Sequence, residues 1–253
     1  MDVNPRLFEI FLDVQRGLPR QGPGSDESTL KALSLCSGLP ERPAILDIGC
    51  GPGMQTIALA KAMNAHITAV DMYREYLDEL EEYAESASVS ECIEILARDM
   101  NELPFEPESF DLIWSEGASY IMGFEKALDV WKRFLKPGGC IAVTELVWLK
   151  SDPPAEVAEF FGNEYPAMTD VETILITIKG CGYELLGHFT LPDSAWWDYY
   201  YTPLEAKLPA LNEKYSGDNE ALSIITTARR EIEIRRLFSN WYGYEFFIGR
   251  KVE

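Results

Sequence analysis

The residues best suited to chemistry are three glycines, Gly49, Gly51 and Gly53, and Asp71, which follows them by about 20 residues. The glycines stand between the apolar run AILDI and the helical pattern MQTIALAKAM. A glycine backbone can approach a ligand with no Cβ in the way, and the free N–H groups at the start of a helix suit an anionic group. An aspartate that ends the next strand can accept from both hydroxyls of a ribose. The spacing therefore predicts a site for an adenosine nucleotide or nucleoside.

The order of the glycines narrows the class of cofactor. It is D-x-G-x-G-x-G from Asp47 to Gly53, whereas a dinucleotide fingerprint, G-x-G-x-x-G, needs a glycine in place of Met54. A nicotinamide-dependent oxidoreductase is therefore disfavoured. A further carboxylate, Asp99 in ARDMNELPF, follows the third predicted strand. There it can accept from the amino group of an adenine, or it can cap a turn.

These residues are positioned by short apolar segments of the kind that form strands buried on both faces. Five of them alternate with helical patterns, which predicts a doubly wound, mostly parallel sheet. They span residues 44–49, 66–72, 92–99, 110–116 and 139–148, and two late strands are predicted at 183–192 and 242–252.

The remaining segments are predicted to be helices and turns. Lys136–Gly139 (KPGG) follows a helical pattern and is interpreted as a helix stop and turn. A long insertion at 193–240 separates the two late strands and contains WWDYYY and a helix over 220–238. The mixed charges of ARREIEIRR, within that helix, predict a solvated face.

Four segments together resemble the class I S-adenosylmethionine-dependent methyltransferases, and most closely the branch of ubiquinone/menaquinone-type small-molecule methyltransferases. They are LDIGCGPG (46–53), VDMYREYL (70–77), ARDMNELPFEPESFDLIWSEGA (97–118) and FLKPGGCIAVTE (134–145). The resemblance implies a Rossmann-like α/β fold. Its sheet has seven strands, mostly parallel with the last strand antiparallel, helices on both faces, and a helical insertion between the last two strands. It also implies S-adenosylmethionine as cofactor and a small-molecule methyl acceptor.

The resemblance further implies which residues hold the cofactor. Those beside its methionine part are expected to be Asp47, Gly49, Cys50, Gly51, Gly53, Ser115, Glu116 and Gly117. Those beside its ribose and adenine are expected to be Asp71, Met72, Asp99 and Met100. An N-terminal segment closes over the cofactor in related enzymes, which places Gly24, Ser25 and Arg20 near its carboxylate; the alternative is an ordinary capped helix with Ser25 as its N-cap.

The sequence leaves the catalytic residue and the acceptor open. Methyl transfer needs alignment and exclusion of water, and a general base helps when the nucleophile is a hydroxyl or an acidic carbon. Candidates for that base are Glu116, Tyr120 and His188, with Glu145 a further possibility. Aromatic residues after the strands and in the insertion predict either an apolar lid or simple packing; they are Tyr120, Trp148, Phe160, Phe161, Tyr165, Trp196, Trp197 and Tyr199–Tyr201. A quinone-like, an amine and an acid acceptor all stay open.

Composition limits the other classes of function. The net charge of −20 disfavours nucleic acid as a partner, since such partners require a basic surface. The five cysteines are scattered along the chain and the two histidines are isolated. This pattern predicts that the cysteines are reduced thiols in the core and that the protein has no metal site. With no apolar run long enough for a membrane span and no signal-peptide pattern, a cytoplasmic protein is expected.

We expect one methyltransferase domain over 1–253. Within it we expect a helical cap at 1–40, a cofactor-binding core at 44–148 and a substrate lid at 193–240. A homodimer is possible through exposed aromatic residues of the insertion. The alternative function is a non-catalytic protein of the same fold that binds the cofactor or a partner.

Overall fold

A computed structural model describes residues 5–252, which build one eight-stranded sheet in the order β3-β2-β1-β4-β5-β8-β7, with β6 paired to β5 outside that path. The strands are β1 (Ala44–Ile48), β2 (His66–Asp71), β3 (Ile93–Ala97), β4 (Phe110–Ser115), β5 (Leu135–Trp148), β6 (Thr169–Asp170), β7 (Tyr183–Thr190) and β8 (Tyr242–Lys251). β1 to β5 pair in parallel, whereas β8 runs antiparallel to both β5 and β7.

Helices connect and cover these strands. They are α1 (Pro5–Gln15), α2 (Asp26–Leu35), α3 (Met54–Ala62), α4 (Arg74–Ser86), α5 (Phe124–Lys132), α6 (Ala155–Glu164), α7 (Val171–Gly180), α8 (Ser194–Trp196), α9 (Thr202–Lys214) and α10 (Asn219–Phe238). Short 3₁₀ turns lie at Ser90–Cys92 and Ser119–Ile121, and one π-helical turn lies at Trp197–Tyr201.

The sheet is buried on both faces because successive strand residues pack into different clusters. Leu46 and Ile113 belong to a cluster that includes Leu128 of α5, whereas their neighbours Ile45 and Leu112 pack with residues of α2 and α3. Side chains along a strand alternate between the two faces. The apolar runs are continuous because side chains on both faces of each strand are buried, as the sequence predicted.

The predicted fold class is confirmed by the strand order, by the antiparallel last strand and by the helical insertion between β7 and β8. Two details differ. Lys136–Gly139, predicted as a turn, lies inside the first part of β5, where the pairing with β4 shifts register between Phe110 and Leu112. The irregular start absorbs Gly138, whose φ of 72° is left-handed. The second is the two-residue strand β6, which was not expected. Its Asp170 also caps α7 by accepting from the Thr173 N–H at 2.8 Å.

Within residues 5–252, no helix is both long and apolar enough to cross a membrane, and no group of His, Cys, Asp and Glu is arranged to hold a metal ion. The five cysteines are free thiols. Residues 1–4 and 253, which the expected cap and domain boundaries include, lie outside the described part of the chain. The division into cap, core and lid stays a prediction.

Candidate functional site

A cavity of about 700 Å³ opens at the carboxyl ends of β1, β2 and β4. Ligands of doubly wound folds bind at this edge of the sheet. One wall comes from the glycine loop after β1 and from the residues that follow β2 and β3. The insertion and the segment between α1 and α2 supply further lining residues.

The three loop glycines serve different purposes. All have positive φ, at 70°, 54° and 80°. A Cβ on Gly49 would lie 2.3 Å from the Ala118 Cβ, and one on Gly53 would lie 2.1 Å from Cδ1 of Leu80. Packing within the protein therefore requires these two glycines. Gly51 lines the cavity, and the nearest atom to a Cβ there is 3.7 Å away, so this glycine leaves open space for a ligand.

Asp71 ends β2 and braces the glycine loop. Its Oδ2 accepts from the Gly51 N–H at 2.9 Å, and its Oδ1 accepts from the Tyr73 N–H at 3.0 Å. The side chain lines the cavity, and burial raises its pKa. Next to it, Met72 is 55% exposed and also lines the cavity. Asp71 therefore lies at the position expected of a residue that accepts hydrogen bonds from ribose hydroxyls.

Asp99 lies at the cavity and also caps a turn. It lines the cavity beside Met100, and its Oδ1 also accepts from the backbone N–H and the side-chain amide of Asn101, each at 2.8 Å. The hydrogen bond from that backbone N–H lowers the pKa of Asp99, so the group stays ionised. Cys50, which the sequence also assigned to the site, lines the cavity although it is buried.

Asp47 does not reach the cavity, contrary to expectation. It is fully buried, and its Oδ2 accepts from the Thr56 hydroxyl at 2.6 Å and from the Gln55 amide at 3.2 Å. Burial raises its pKa to about 7, and no described residue hydrogen-bonds its Oδ1. These two hydrogen bonds connect β1 to the first turn of α3.

Glu116, the residue after β4, lies at the centre of a buried polar cluster on the cavity wall. Its Oε2 accepts from Arg20 at 3.1 Å, and its Oε1 accepts from the Thr29 hydroxyl at 2.7 Å and from the Trp114 indole at 3.0 Å. Arg20 also pairs with Asp26. Because both carboxylate oxygens are occupied, Glu116 holds the N-terminal segment and is a poor general base.

The N-terminal segment reaches the cavity through other residues than expected. Gly24 and Ser25 do not line it: the Gly24 N–H donates to the Ala195 carbonyl at 2.9 Å, and Ser25 caps α2 by accepting from the Ser28 N–H. For these two residues the structure agrees with the alternative of a capped helix. The lining residues of this segment are Pro19, Arg20, Gln21, Gly22 and Pro23.

Two more expected site residues lie elsewhere. Ser115 is fully buried, and its hydroxyl donates to the Ile48 carbonyl at 2.9 Å, which ties β4 to β1. His188 lies on β7 away from the cavity, stacks on Phe247, and its Nδ1 is 2.5 Å from Oε1 of Glu245. The candidacy of His188 as catalytic base is therefore wrong, because a base must reach the reacting group.

Of the other candidates, Tyr120 lines the cavity and Glu145 does not. Tyr120 is 48% exposed, its ring centroid is 5.8 Å from that of Tyr165, and burial raises the pKa of its hydroxyl. Glu145 accepts from Ser119 and Tyr165 behind it, and burial raises its pKa to about 7. Gly117 lines the cavity, and its N–H donates to Thr144.

Part of the cavity is lined by aromatic residues, and we refer to this part as the aromatic chamber. Its members are Tyr120, Phe161, Trp196, Tyr200, Tyr201 and Tyr244. Part of the aromatic set singled out in the sequence therefore lines the cavity, and whether it acts as a lid stays a prediction. The members of that expected set that do not line the cavity are Trp148, Phe160, Tyr165, Trp197 and Tyr199.

Several residues that line the cavity were not predicted from the sequence. Glu231 lies in ARREIEIRR, predicted as a solvated face, yet it lines the chamber and its Oε1 accepts from the Tyr201 hydroxyl at 2.7 Å. Gln15 and Tyr76 also line the cavity, from α1 and α4. Ile232 and Ile234, both buried, were the signal that this part of α10 is not solvated on all sides.

Comparisons with known proteins agree with this architecture. Residues 45–139 match the family model described as a methyltransferase domain. A sterol 24-C-methyltransferase of Neurospora crassa is 27% identical over 203 residues, which cover 76% of this chain and 53% of that protein. The 27-O-demethylrifamycin SV methyltransferase of Amycolatopsis mediterranei is 26% identical over 239 residues, which cover 89% of this chain and 85% of that protein.

Residues 45–139 are therefore similar to a methyltransferase domain. A methyltransferase of Thiobacillus denitrificans, solved in complex with S-adenosyl-L-homocysteine, has the same fold, with a TM-score of 0.80 at 20% identity over 98% of this chain and 99% of that chain. The matched segment begins in β1 and ends within β5, so it contains the glycine loop, Asp71, Asp99 and Glu116. The chain spans about half the length of the sterol methyltransferases that it matches.

Proposed function

We propose that this protein is an S-adenosylmethionine-dependent methyltransferase that acts on a small molecule. The observation that carries the proposal is one continuous cavity that is lined both by the glycine loop with Asp71 and by the aromatic chamber. A cofactor held beside the glycine loop then meets an acceptor held in the chamber, which is how proximity lowers a barrier. The named activities of the sterol and rifamycin methyltransferases support transfer to a small molecule.

The residues present fit this cofactor. Gly51 leaves open space at the start of α3, and Asp71 stands at the end of β2, where it can accept from ribose hydroxyls. Asp99 stays ionised at the cavity edge and can accept from an adenine amino group. These two carboxylates also favour a cationic sulfur nearby, since opposite charges attract more strongly away from bulk water.

S-adenosylmethionine, when bound, would supply a methyl group on a positively charged sulfur, which can pass to the acceptor and leave S-adenosylhomocysteine. The protein's residues align the acceptor and exclude water. Arg20 and Glu116 hold the N-terminal segment at the cavity. Tyr120, with its raised pKa, stays neutral and offers a hydroxyl to the acceptor at the cavity wall.

Narrower assignments stay predictions. The ubiquinone/menaquinone-type branch rests on the four sequence segments, and the cytoplasmic location and the homodimer rest on composition and exposed aromatic residues. The roles of the individual cofactor residues are proposals of the same kind.

The first test is calorimetric titration with S-adenosylhomocysteine. Asp71→Ala is expected to weaken binding at least tenfold, about 1.4 kcal/mol or more. Asp78→Ala is the matched control: Asp78 is exposed on the neighbouring α4, where it pairs with Arg74. The control should bind within twofold of wild type. Circular dichroism should show that both variants are folded.

The outcomes separate the proposed function from its alternative. A folded wild-type protein that does not bind S-adenosylhomocysteine contradicts the methyltransferase proposal. Binding that Asp71→Ala weakens, with no methyl transfer to any acceptor in a broad panel of amines, phenols and acids, supports a non-catalytic cofactor-binding protein instead.

A further inference from the structure

The cavity carries an excess of negative charge. Five carboxylates line it, those of Asp71, Asp99, Glu116, Glu164 and Glu231. Among the described lining residues the basic side chains are Arg20 and Arg98. Arg20 is held by Glu116 and Asp26, and Arg98 lies directly after β3, beside Asp99. The aromatic chamber therefore contains carboxylates that no described basic side chain neutralises.

Glu231 is the carboxylate placed among the aromatic rings. It projects from α10, and its Oε1 accepts from the Tyr201 hydroxyl at 2.7 Å. Within residues 5–252, Tyr201 is the donor that reaches this carboxylate. Its charge also acts on Tyr120, Tyr200 and Tyr244, whose pKa values burial raises. One carboxylate oxygen is thus left to accept from a ligand in a wall of tyrosines.

A second observation is that two polar side chains on other helices line the cavity without a described hydrogen-bond partner. Gln15, in α1, is 5% exposed and lines the cavity, yet its Oε1 has no hydrogen-bond partner among the described residues. The Tyr76 hydroxyl, on α4, lines the cavity and is unpartnered in the same way. A buried acceptor oxygen without a partner is costly, so a ligand with N–H groups would relieve that cost.

On the basis of the proposed function, we infer that the methyl acceptor is an amine, and that Glu231 with the faces of the surrounding aromatic residues recognises its nitrogen. Aromatic faces and a carboxylate are the two groups that attract an ammonium in a desolvated site. Before transfer the bound ammonium loses a proton to Glu231 or to water, which frees the nitrogen lone pair. That lone pair forms the bond to carbon as the carbon–sulfur bond breaks, the electron pair of the broken bond stays on sulfur, and the positive charge passes from sulfur to nitrogen. The proton that the product nitrogen carries can then pass to Glu231 or to water.

Other acceptor classes fit the chamber less well. An acidic acceptor would be repelled by Glu164 and Glu231. An acceptor without polar groups would leave Gln15 Oε1 and the second carboxylate oxygen of Glu231 without a partner after water is displaced. An alcohol offers a single O–H donor, and the negatively charged oxyanion that makes it a good nucleophile would be repelled by a neighbouring carboxylate.

The test compares two probes on the wild-type complex with S-adenosylhomocysteine, so that cofactor binding is measured separately. The probes are N-methyl-2-phenylethylamine and 2-phenylethanol, an ammonium at neutral pH and its uncharged counterpart. We expect the amine to bind at least tenfold more tightly. In Glu231→Gln, which keeps the acceptor oxygen for Tyr201, the preference should fall to about twofold, and the affinity for S-adenosylhomocysteine should not change.

Glu233→Gln is the matched control, since Glu233 lies two residues away on α10 and faces solvent in an ion pair with Arg230. It should keep the preference for the amine. The inference is overturned if the alcohol binds wild type as tightly as the amine, or if Glu231→Gln keeps the preference. Both results are obtained on protein that binds S-adenosylhomocysteine. They are therefore distinct from a failure of the proposed function, in which that titration itself shows no binding.

Discussion

Arg20 and Glu116 form a buried ion pair at 3.1 Å that joins the segment after α1 to the carboxyl end of β4. Both side chains are 6% exposed, and each has a further partner, Asp26 for Arg20 and Thr29 for Glu116. The pair thus fixes the N-terminal segment to the sheet at the edge where the cavity opens. Removing one member of such a buried ion pair strongly destabilises the folded protein.

Arg20→Met is therefore expected to reduce the free energy of unfolding by about 3–5 kcal/mol, because Glu116 is left as an unpaired buried charge. Urea unfolding monitored by circular dichroism measures it. The double variant Arg20→Met/Glu116→Gln should recover part of this loss, since no net charge is then buried. A double variant that is less stable than the sum of the two single variants would contradict the pairing.

Gly51→Ala and Gly53→Ala are expected to separate binding from stability. Gly53→Ala forces a Cβ onto Leu80 at a left-handed φ, which should cost about 2–4 kcal/mol of unfolding free energy. Gly51→Ala meets no close atom and should cost about 1–2 kcal/mol. Its Cβ enters the cavity, so affinity for S-adenosylhomocysteine should fall at least tenfold. If both variants lose affinity for S-adenosylhomocysteine in proportion to the unfolding free energy that they lose, binding and stability are not separated between the two glycines.

The buried carboxyl of Asp47 predicts a dependence of stability on pH. Its pKa is about 7 in the folded protein, raised by burial and further by Glu116 and Asp71, against 3.8 ordinarily. Between these values the folded state binds more protons than the unfolded state. The free energy of unfolding therefore falls as the pH rises through this window, by up to about 1.4 kcal/mol per pH unit.

Asp47→Asn removes this contribution while keeping an oxygen for Thr56. Urea unfolding at pH 5 and pH 8 should show wild type losing more stability between the two values than the variant does. The comparison with the variant cancels the effect of the large net charge, which both proteins share closely. Parallel losses in the two proteins would show that Asp47 is ionised in the folded state already at pH 5.

His188→Phe is expected to leave S-adenosylhomocysteine binding and any methyl transfer unchanged, because His188 lies outside the cavity. It should reduce the free energy of unfolding by about 1–3 kcal/mol, since buried Glu245 loses one of two partners and keeps only Thr190. The measurements are calorimetric titration and urea unfolding. A tenfold fall in transfer rate with intact cofactor binding would restore His188 as a candidate base.

The fold was predictable because the signals that define it are local. Apolar runs locate β1 to β4 to within a residue or two. The sequence also places the glycines directly after β1 and Asp71 at the end of β2. The start of β5 was not predictable, since Lys136–Gly139 has the composition of a turn and enters the sheet only through an irregular pairing with β4.

The site was predictable on one wall only. Residues after strand ends lie at a common edge in any parallel sheet, which brought Asp71, Asp99 and Glu116 together. Asp47, Ser115 and His188 lie in strands, so which face each side chain takes depends on packing that the motif does not encode. Glu231 was missed because a charged residue in a helix rich in Arg and Glu is usually solvated, and only the position of α10 over the cavity overrides this.

The insertion begins and ends at one place in the sheet. After β7 the Leu191 N–H donates to the Tyr244 carbonyl of β8 at 2.9 Å, so the chain leaves the hairpin and returns to it between adjoining residues. A segment with adjoining ends behaves as a cassette: it can be lengthened, shortened or exchanged while the strands that flank it keep their register. Under the proposed function, an altered cassette would change the chamber that faces the acceptor while the glycine loop stays as it is. Chimeras that transplant this segment between relatives are the natural way to alter specificity.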